Sequence, residues 1–165
     1  MHSKYSAGIL LYRIHNGETQ FLLGKDIKYN SWSDFGGKCD SADNNRPLQT
    51  AIREFYEETC GVLANMHEMT SLIHKKYVKI HCSSYKKKMY YMFLVKYDKL
   101  YLDIENIFKD QYMFLKQTNV CMKFKEKKEI KWFSLDYICN NKSMLRGVFY
   151  NSFVNNIETI KRVTT

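Results

Sequence analysis

Apolar residues along this chain follow two rhythms, and each rhythm predicts its own kind of element. Residues 6–14, SAGILLYRI, are a near-continuous apolar run, the pattern of a strand buried on both faces. Asn16, Gly17 and Glu18 form a turn signal, and residues 19–25, TQFLLGK, read as the next strand. A short alternating run, residues 31–37, SWSDFGG, ends in a glycine pair. From Pro47 the rhythm becomes helical. Leu48, Ala51, Ile52 and Phe55 fall on one stripe at about 100° per residue, which is a core face. Pro47 suits a first helical turn, where its missing N–H costs nothing, and Gly61 suits the left-handed position just past the end.

The remainder reads more coarsely. Residues 69–98 predict a long hairpin or meander that bends near Ser83 and Ser84, with His74 and His81 on its strands. Residues 103–117 predict a short helix, and residues 129–138 a strand passing into a turn. Residues 143–163 predict one closing amphipathic helix, with Leu145, Val148, Phe149, Phe153, Ile157 and Ile160 inward. Strands and helices in this order give an α+β fold, a mixed sheet between helices.

The motif helix carries a second stripe beside its apolar one. Glu54, Glu57 and Glu58 stand at i, i+3 and i+4, so they are surface neighbours. Like charges at this spacing cost roughly 0.2–0.5 kcal/mol per pair. Glu57 and Glu58 also lie in the last turn, where the helix dipole disfavours each by roughly 0.3–1 kcal/mol. A lone Glu-Glu pair is ordinarily a solvated acidic face. A divalent cation reverses the sign of all these terms, and Mg²⁺ favours carboxylate oxygens.

Residues 36–62, GGKCDSADNNRPLQTAIREFYEETCGV, resemble the signature of the Nudix hydrolases. That signature is a glycine, five residues, a glutamate, seven residues, then Arg-Glu, an apolar residue, any residue, Glu-Glu, any residue, Gly and an apolar residue. Arg53, Glu54, Phe55, Glu57 and Glu58 fit its centre without a gap. The likeness continues in outline through strands before the motif and a KWFSL segment after it. There are two departures. Gly37 plus five residues leads to Asp43 rather than Glu, and the stretch from there to Arg53 is two residues longer than the signature; alternatively Asn45 holds the aligned position and no carboxylate stands there. One extra residue separates Glu58 from Gly61, which points to a remodelled helix end.

The resemblance implies an α/β/α sandwich and cleavage of a pyrophosphate linkage in a nucleoside diphosphate joined to another group. It implies Mg²⁺ or Mn²⁺ held by Glu54, Glu57 and Glu58, with the backbone carbonyl of Gly36. Arg53 is expected to hold a glutamate in place through paired hydrogen bonds rather than to touch metal. Glu126 is the first candidate for a distal ligand or general base and Glu129 the second, although alternating Lys and Glu usually make a solvated edge. Lys38 is a candidate phosphate contact. Tyr29, Trp32, Tyr77, Tyr85 and Tyr91 are candidates for a base-stacking platform, each in competition with ordinary packing.

Composition narrows the class. At 165 residues and 45% apolar, the chain is expected to form one domain, 1–165, with a full core. The apolar run of residues 7–12 is too short for a signal peptide or membrane span, so a soluble, cytoplasmic protein without a membrane partner is expected. Five cysteines without Cys-x-x-Cys spacing predict reduced thiols. The dispersed histidines offer no zinc spacing.

A net charge of +9 remains. Lys75, Lys76, Lys79, Lys86, Lys87 and Lys88 cluster in the central hairpin among tyrosines, a footprint that suits RNA. It equally suits a compact polyphosphate such as a dinucleoside polyphosphate or an inositol pyrophosphate. Lys86, Lys87 and Lys88 are therefore candidate substrate contacts. Three functions compete: a pyrophosphohydrolase of nucleotides, the same chemistry on capped RNA, and a binding module that keeps the helix without catalysis. The leaving group and the oligomeric state lie outside what the signature specifies.

Overall fold

A computed structural model describes residues 5–75, 77–83, 89–98 and 103–165. A mixed sheet has the strand order β3-β2-β1-β6-β5, with β4 beside β1 and β7 beside β2. The strands are β1 (Tyr5–His15), β2 (Glu18–Asp26), β3 (Trp32–Ser33), β4 (Phe35–Lys38), β5 (Tyr77–Ser83), β6 (Met89–Lys96) and β7 (Lys127–Ser134). The helices are α1 (Pro47–Glu58), α2 (Met66–Lys75), α3 (Ile104–Lys116), α4 (Leu135–Asn140), α5 (Gly147–Asn155) and α6 (Ile157–Thr164).

The unbroken apolar run becomes the central strand. On β1, Ala7, Ile9 and Leu11 enter one core cluster with residues of α1, α2 and α3. Leu10 and Tyr12 enter a second cluster on the opposite face, with residues of α4, α5 and α6. Both faces are covered by helices, which is why the strand reads as continuous rather than alternating. Asn16 and Gly17 both take positive φ and join β1 to β2 as a two-residue hairpin turn, pairing His15 with Glu18.

The two strands then part. The first half of β1 pairs β4 from Ser6↔Lys38 to Ile9↔Phe35, and the end of β2 pairs β3 at Gly24↔Ser33. Parallel β6 closes the other side of β1. Asp34 lies between β3 and β4, at the point where the chain crosses from one strand to the other.

Three expected elements take another form. Residues 69–75, read as strand, belong to helix α2, whose Met69 and Ile73 are buried four residues apart; the hairpin begins at Tyr77. The turn after β7 is helix α4, capped by the Ser134 hydroxyl, which accepts from the Tyr137 amide. The closing helix is broken at Asn156 into α5 and α6. The break separates two inward faces, Phe149 with Phe153 and Ile160 with Thr164. Leu145 is buried but precedes the helix, and Val148 faces outward, 58% exposed.

Candidate active site

Helix α1 starts at Pro47 and buries Ala51, Ile52 and Phe55, with Leu48 packed against the same cluster. That anchoring aims the adjacent Glu54 and Glu58 at the strand β4. Glu54 lies directly over Gly37, where a Cβ would come within 2.5 Å of its carboxylate. Gly37 is thus fixed by close approach rather than by a turn. Glu58 accepts a hydrogen bond from the Gly36 amide at 2.8 Å. Gly36 in turn faces Gly8 across β1 and β4, and either Cβ would collide with the opposing backbone and the Tyr90 hydroxyl.

The helix end absorbs its extra residue by doubling the left-handed step. Cys60 and Gly61 both have positive φ, and the Gly61 amide returns to the Tyr56 carbonyl at 2.9 Å. Cys60 occupies the left-handed position expected of Gly61, and the glycine follows it.

Asp43, not Asn45, supplies the loop carboxylate. It is 3% exposed and accepts from Arg53 Nε and Nη2, both at 2.9 Å, from the Asp40 amide at 2.8 Å and from Thr50 Oγ1 at 2.8 Å. Burial works against its charge, but the Arg53 fork and these other donors outweigh that and hold its carboxyl below the usual value. Arg53 also donates to Glu54 at 2.8 Å, to Glu57 at 3.2 Å and to the Lys38 carbonyl at 3.0 Å. Its paired bonds therefore go to Asp43 rather than to a glutamate of the helix; Glu54 and Glu57 each receive a single bond and Glu58 none.

A cavity of about 850 Å³ opens above this helix. Glu54, Glu58, Gly36, Lys38 and Glu126 all line it. Arg53 and Glu57 are not among its lining residues; Glu57 is held by Arg53 and by Lys123 at 3.8 Å. Glu57 is thus compensated by two cations, despite its place at the negative end of the helix. Glu126 stands at the end of a short 3₁₀ turn, Met122–Lys125, just before β7. Glu129 lies farther along β7 opposite Lys25, exposed and outside the cavity lining. Lys86, Lys87, Lys88 and Tyr85 lie outside the described residues.

Burial perturbs three of the carboxyl groups that line the cavity. Burial pushes the Glu58 carboxyl up to about 8, against the pull of Lys127. Burial likewise raises Glu54, and the Arg53 charge offsets only part of it. Burial raises Asp34 to about 6 even though the Tyr90 hydroxyl donates to it. As the side chains lie, no three His, Cys, Asp or Glu groups among the described residues form an ion-holding set. The donor chemistry nevertheless fits a hard divalent cation. Glu54, Glu58, Glu126 and the Gly36 carbonyl offer oxygen ligands around one cavity, and burial disfavours the charge of Glu54 and Glu58, which a bound cation would relieve.

Lys127 escaped the sequence reading. It is 1% exposed, donates to Ser33 Oγ at 2.8 Å, and lies 3.6 Å from Glu58 and 3.8 Å from Asp26. A register shift against Lys25 and Asp26 turns it inward. Gly24 leaves room for its stem, since a Cβ there would come within 3.0 Å of the Lys127 chain. Nothing in the run FKEKKEIKWF marks which lysine is buried, because the bulge is a property of strand pairing. The contact between Asp34 and Tyr90, a residue the sequence offers only as one of the tyrosines among the hairpin lysines, was hidden for the same reason: distant segments bring the two together.

A model of the NUDIX domain matches residues 4–150. The chain belongs to the NUDIX domain family. Its fold is similar to that of a C. elegans Ap4A hydrolase, with 16% identity, a TM-score of 0.56, and coverage of 96% of this chain and 98% of the other. It is similar also to the NUDIX domain of Shewanella oneidensis NrtR complexed with ADP ribose (13%, 0.57, 99% and 90%). A third likeness is RenU, a Nudix hydrolase from M. smegmatis (16%, 0.55, 99% and 91%). At these identities the likeness concerns the Nudix fold. No curated protein matches the sequence.

The remaining candidates separate by position relative to the cavity. Trp32 packs against Phe133 in the core, Tyr91 against Tyr5 and His81, and Tyr77 against Phe93. Tyr29 alone of the described platform candidates lines the Nudix cavity. All five cysteines are free thiols. Among the described residues, no helix is long and apolar enough to cross a membrane.

Proposed function

We propose that residues 1–165 form one Nudix hydrolase domain that uses Mg²⁺ or Mn²⁺ to cleave the pyrophosphate linkage of a nucleoside diphosphate joined to another group. One observation carries this reading. Glu54, Glu58, Gly36, Lys38 and Glu126, drawn from α1, β4 and the turn before β7, line the same cavity. Membership of the NUDIX domain family and the intact Arg53, Glu54, Glu57 and Glu58 favour this reading over a module that merely binds.

Each residue then has a physical task. Glu54 and Glu58, with the Gly36 carbonyl, would hold the divalent ion from the helix side, and Glu57 would join them by leaving Lys123. The bound ion supplies neutralisation of the phosphate charge and acidification of water. Arg53, locked by Asp43, keeps Glu54 and Glu57 aimed. Glu126, which lines the same cavity, would accept the proton of the attacking water as its oxygen bonds to phosphorus and the bridging P–O bond breaks. Lys38 neutralises a phosphate oxygen of the substrate.

The decisive experiment is a panel of nucleoside diphosphate derivatives, dinucleoside polyphosphates and capped RNA, incubated with and without divalent ions, with the products identified. Cleavage within a pyrophosphate link that disappears with chelator is expected. Cleavage indifferent to chelation would overturn the assignment.

A further inference from the structure

Two lysines flank Glu126 in the sequence, and each lies against a different glutamate of α1. Lys123 Nζ is 3.8 Å from Glu57, and Lys127 Nζ is 3.6 Å from Glu58. The two pairs differ in kind. The Lys123 side chain is 50% exposed, whereas that of Lys127 is 1% exposed. An exposed ammonium gives up its partner at little cost, and a buried one does not. Resting on the reading of Glu58 as an ion ligand, we propose that Lys127 is a resident cation of the metal site: its ammonium competes with the divalent ion for Glu58 and holds the site's ion affinity down.

The two oxygens of Glu58 show where the competition falls. Oε2 accepts the Gly36 amide at 2.8 Å, so Oε1 is the oxygen left for an ion. Oε1 is also the oxygen that Lys127 flanks. At 3.6 Å the ammonium is beyond hydrogen-bond reach and acts on Oε1 through its charge. Lone pairs on Oε1 therefore stay open to an ion, but an ion bound there stands close to a fixed positive charge in a site shielded from water. The charges of Glu54, Glu126 and Asp34 also reach Glu58 and favour an incoming cation; that of Lys127 opposes it.

Lys127 is braced where it stands. Its ammonium donates to Ser33 Oγ at 2.8 Å and lies 3.8 Å from Asp26 Oδ2. Asp26 is pinned in turn, since its Oδ1 accepts the Tyr29 amide at 3.0 Å, and the Ser33 hydroxyl donates to the Asp34 carbonyl at 3.0 Å. Strands β2, β3 and β7 thus hold the ammonium beside α1 from three sides. A charge fixed in this way, inside the protein, is screened far less by salt than the exposed Lys123.

The test measures Mn²⁺ binding to the full chain at neutral pH, by calorimetry and by the electron paramagnetic resonance of the free ion. Lys127→Met should bind Mn²⁺ at least about tenfold more tightly than the parent, and keep that advantage between about 0.05 and about 0.5 M NaCl. Lys123→Met is the control for a charge of the same sign that is exposed: its gain should be smaller and should vanish at the higher salt. A lysine that merely positions Glu58 predicts the opposite sign, weaker binding in Lys127→Met. Melts with and without Mn²⁺ guard against loss of the fold, since the ion should add more stability to Lys127→Met than to the parent. Binding equal to or weaker than the parent's, an advantage abolished by salt, or a Lys127→Met chain that stays unfolded even with Mn²⁺ would each overturn the proposal. Mn²⁺ bound by no variant and not by the parent would sink the metal reading with it. Mn²⁺ bound by the parent without a gain in Lys127→Met would sink this inference alone. The expected gain without cleavage of any pyrophosphate substrate would sink the hydrolase reading and leave the resident cation standing.

Discussion

Arg53 holds Asp43 with both arms of its guanidinium, Nε to Oδ1 and Nη2 to Oδ2, each at 2.9 Å. The pair joins the lengthened loop to the helix that carries the site, and Arg53 spends its remaining arm on Glu54 and Glu57. A single buried contact thereby fixes the orientation of two candidate ligands.

Asp43→Asn keeps the shape and removes the charge. Loss of the charged bidentate pair is expected to cost about 2 kcal/mol of stability, the scale of hydrogen bonds to charged groups. Turnover should fall at least about tenfold, since misaligned ligands weaken catalysis steeply. The pH dependence has a fixed sign. Asp43 has its carboxyl lowered from 3.8, so its contribution is present above 3.8 and is lost as pH falls through the folded value. Thermal melts from pH 7 downward should show the two proteins converging in the acid range. A gap that stays constant down to pH 2 would show that the ionised pair is not its source.

Divalent ions should stabilise the protein as well as activate it. Burial and mutual repulsion raise Glu54 and Glu58, and a bound cation relieves both. With Mg²⁺ or Mn²⁺ at about a hundredfold over its dissociation constant, the gain should approach about 2.7 kcal/mol. Glu54→Gln should lose most of that gain and cut turnover by orders of magnitude. Its ion-free stability should equal or exceed the parent's. Differential scanning with and without chelator reads this directly. A Glu54→Gln protein that melts much earlier than the parent in chelator would mark Glu54 as structural.

What could be read in the sequence was what lies within one segment. Pro47, the apolar stripe and the glutamate spacing all belong to a single helix, so local periodicity revealed α1 and the candidates on it. The β1–β2 hairpin was legible because Asn16 and Gly17 satisfy a local turn geometry. Features set by pairing between segments were hidden. Residues 69–75 carry apolar spacing that suits either element, and packing of Met69 and Ile73 in the core under α1 selects the helix. Asn156 breaks the closing helix although the inward stripe runs on past it. Most of all, Lys127 sits in a run of alternating lysines and glutamates, and only the register shift opposite Asp26 distinguishes it from its solvated neighbours.

That buried lysine carries a strong expectation. Lys127→Met preserves the stem and deletes the ammonium, leaving the buried Glu58 and Asp26 carboxyls without their shared cation. Breaking a buried pair in this way costs about 3–5 kcal/mol. The loss should depend on pH. Glu58 is already raised to about 8 from 4.5, and removal of Lys127 raises it further. A carboxyl raised on folding contributes its full stability below the unfolded value of 4.5, and that contribution is lost as pH rises through the folded value. The deficit of Lys127→Met should therefore be smallest near pH 4.5 and greatest above pH 8. Urea unfolding across that range measures it. A deficit independent of pH would assign the cost to packing alone.

The basic stretch tests whether RNA is also a partner. Lys86, Lys87 and Lys88 lie outside the described residues, so the expectation rests on their clustering in the sequence. If a capped RNA is the substrate, these lysines neutralise phosphates beyond the cavity. Each neutralised phosphate releases counterions, so the logarithm of affinity should fall with the logarithm of salt by about 0.7 per contact on a single strand. Replacing all three with Ser should flatten that slope by up to about 2 and weaken RNA binding at low salt. Turnover of a free nucleotide, which needs only the cavity, should change less than about twofold. Equal damage to both reactions would place the lysines at the cavity itself. Unchanged RNA binding and an unchanged salt slope would remove RNA from the partners that this stretch serves, leaving it as solvated charge.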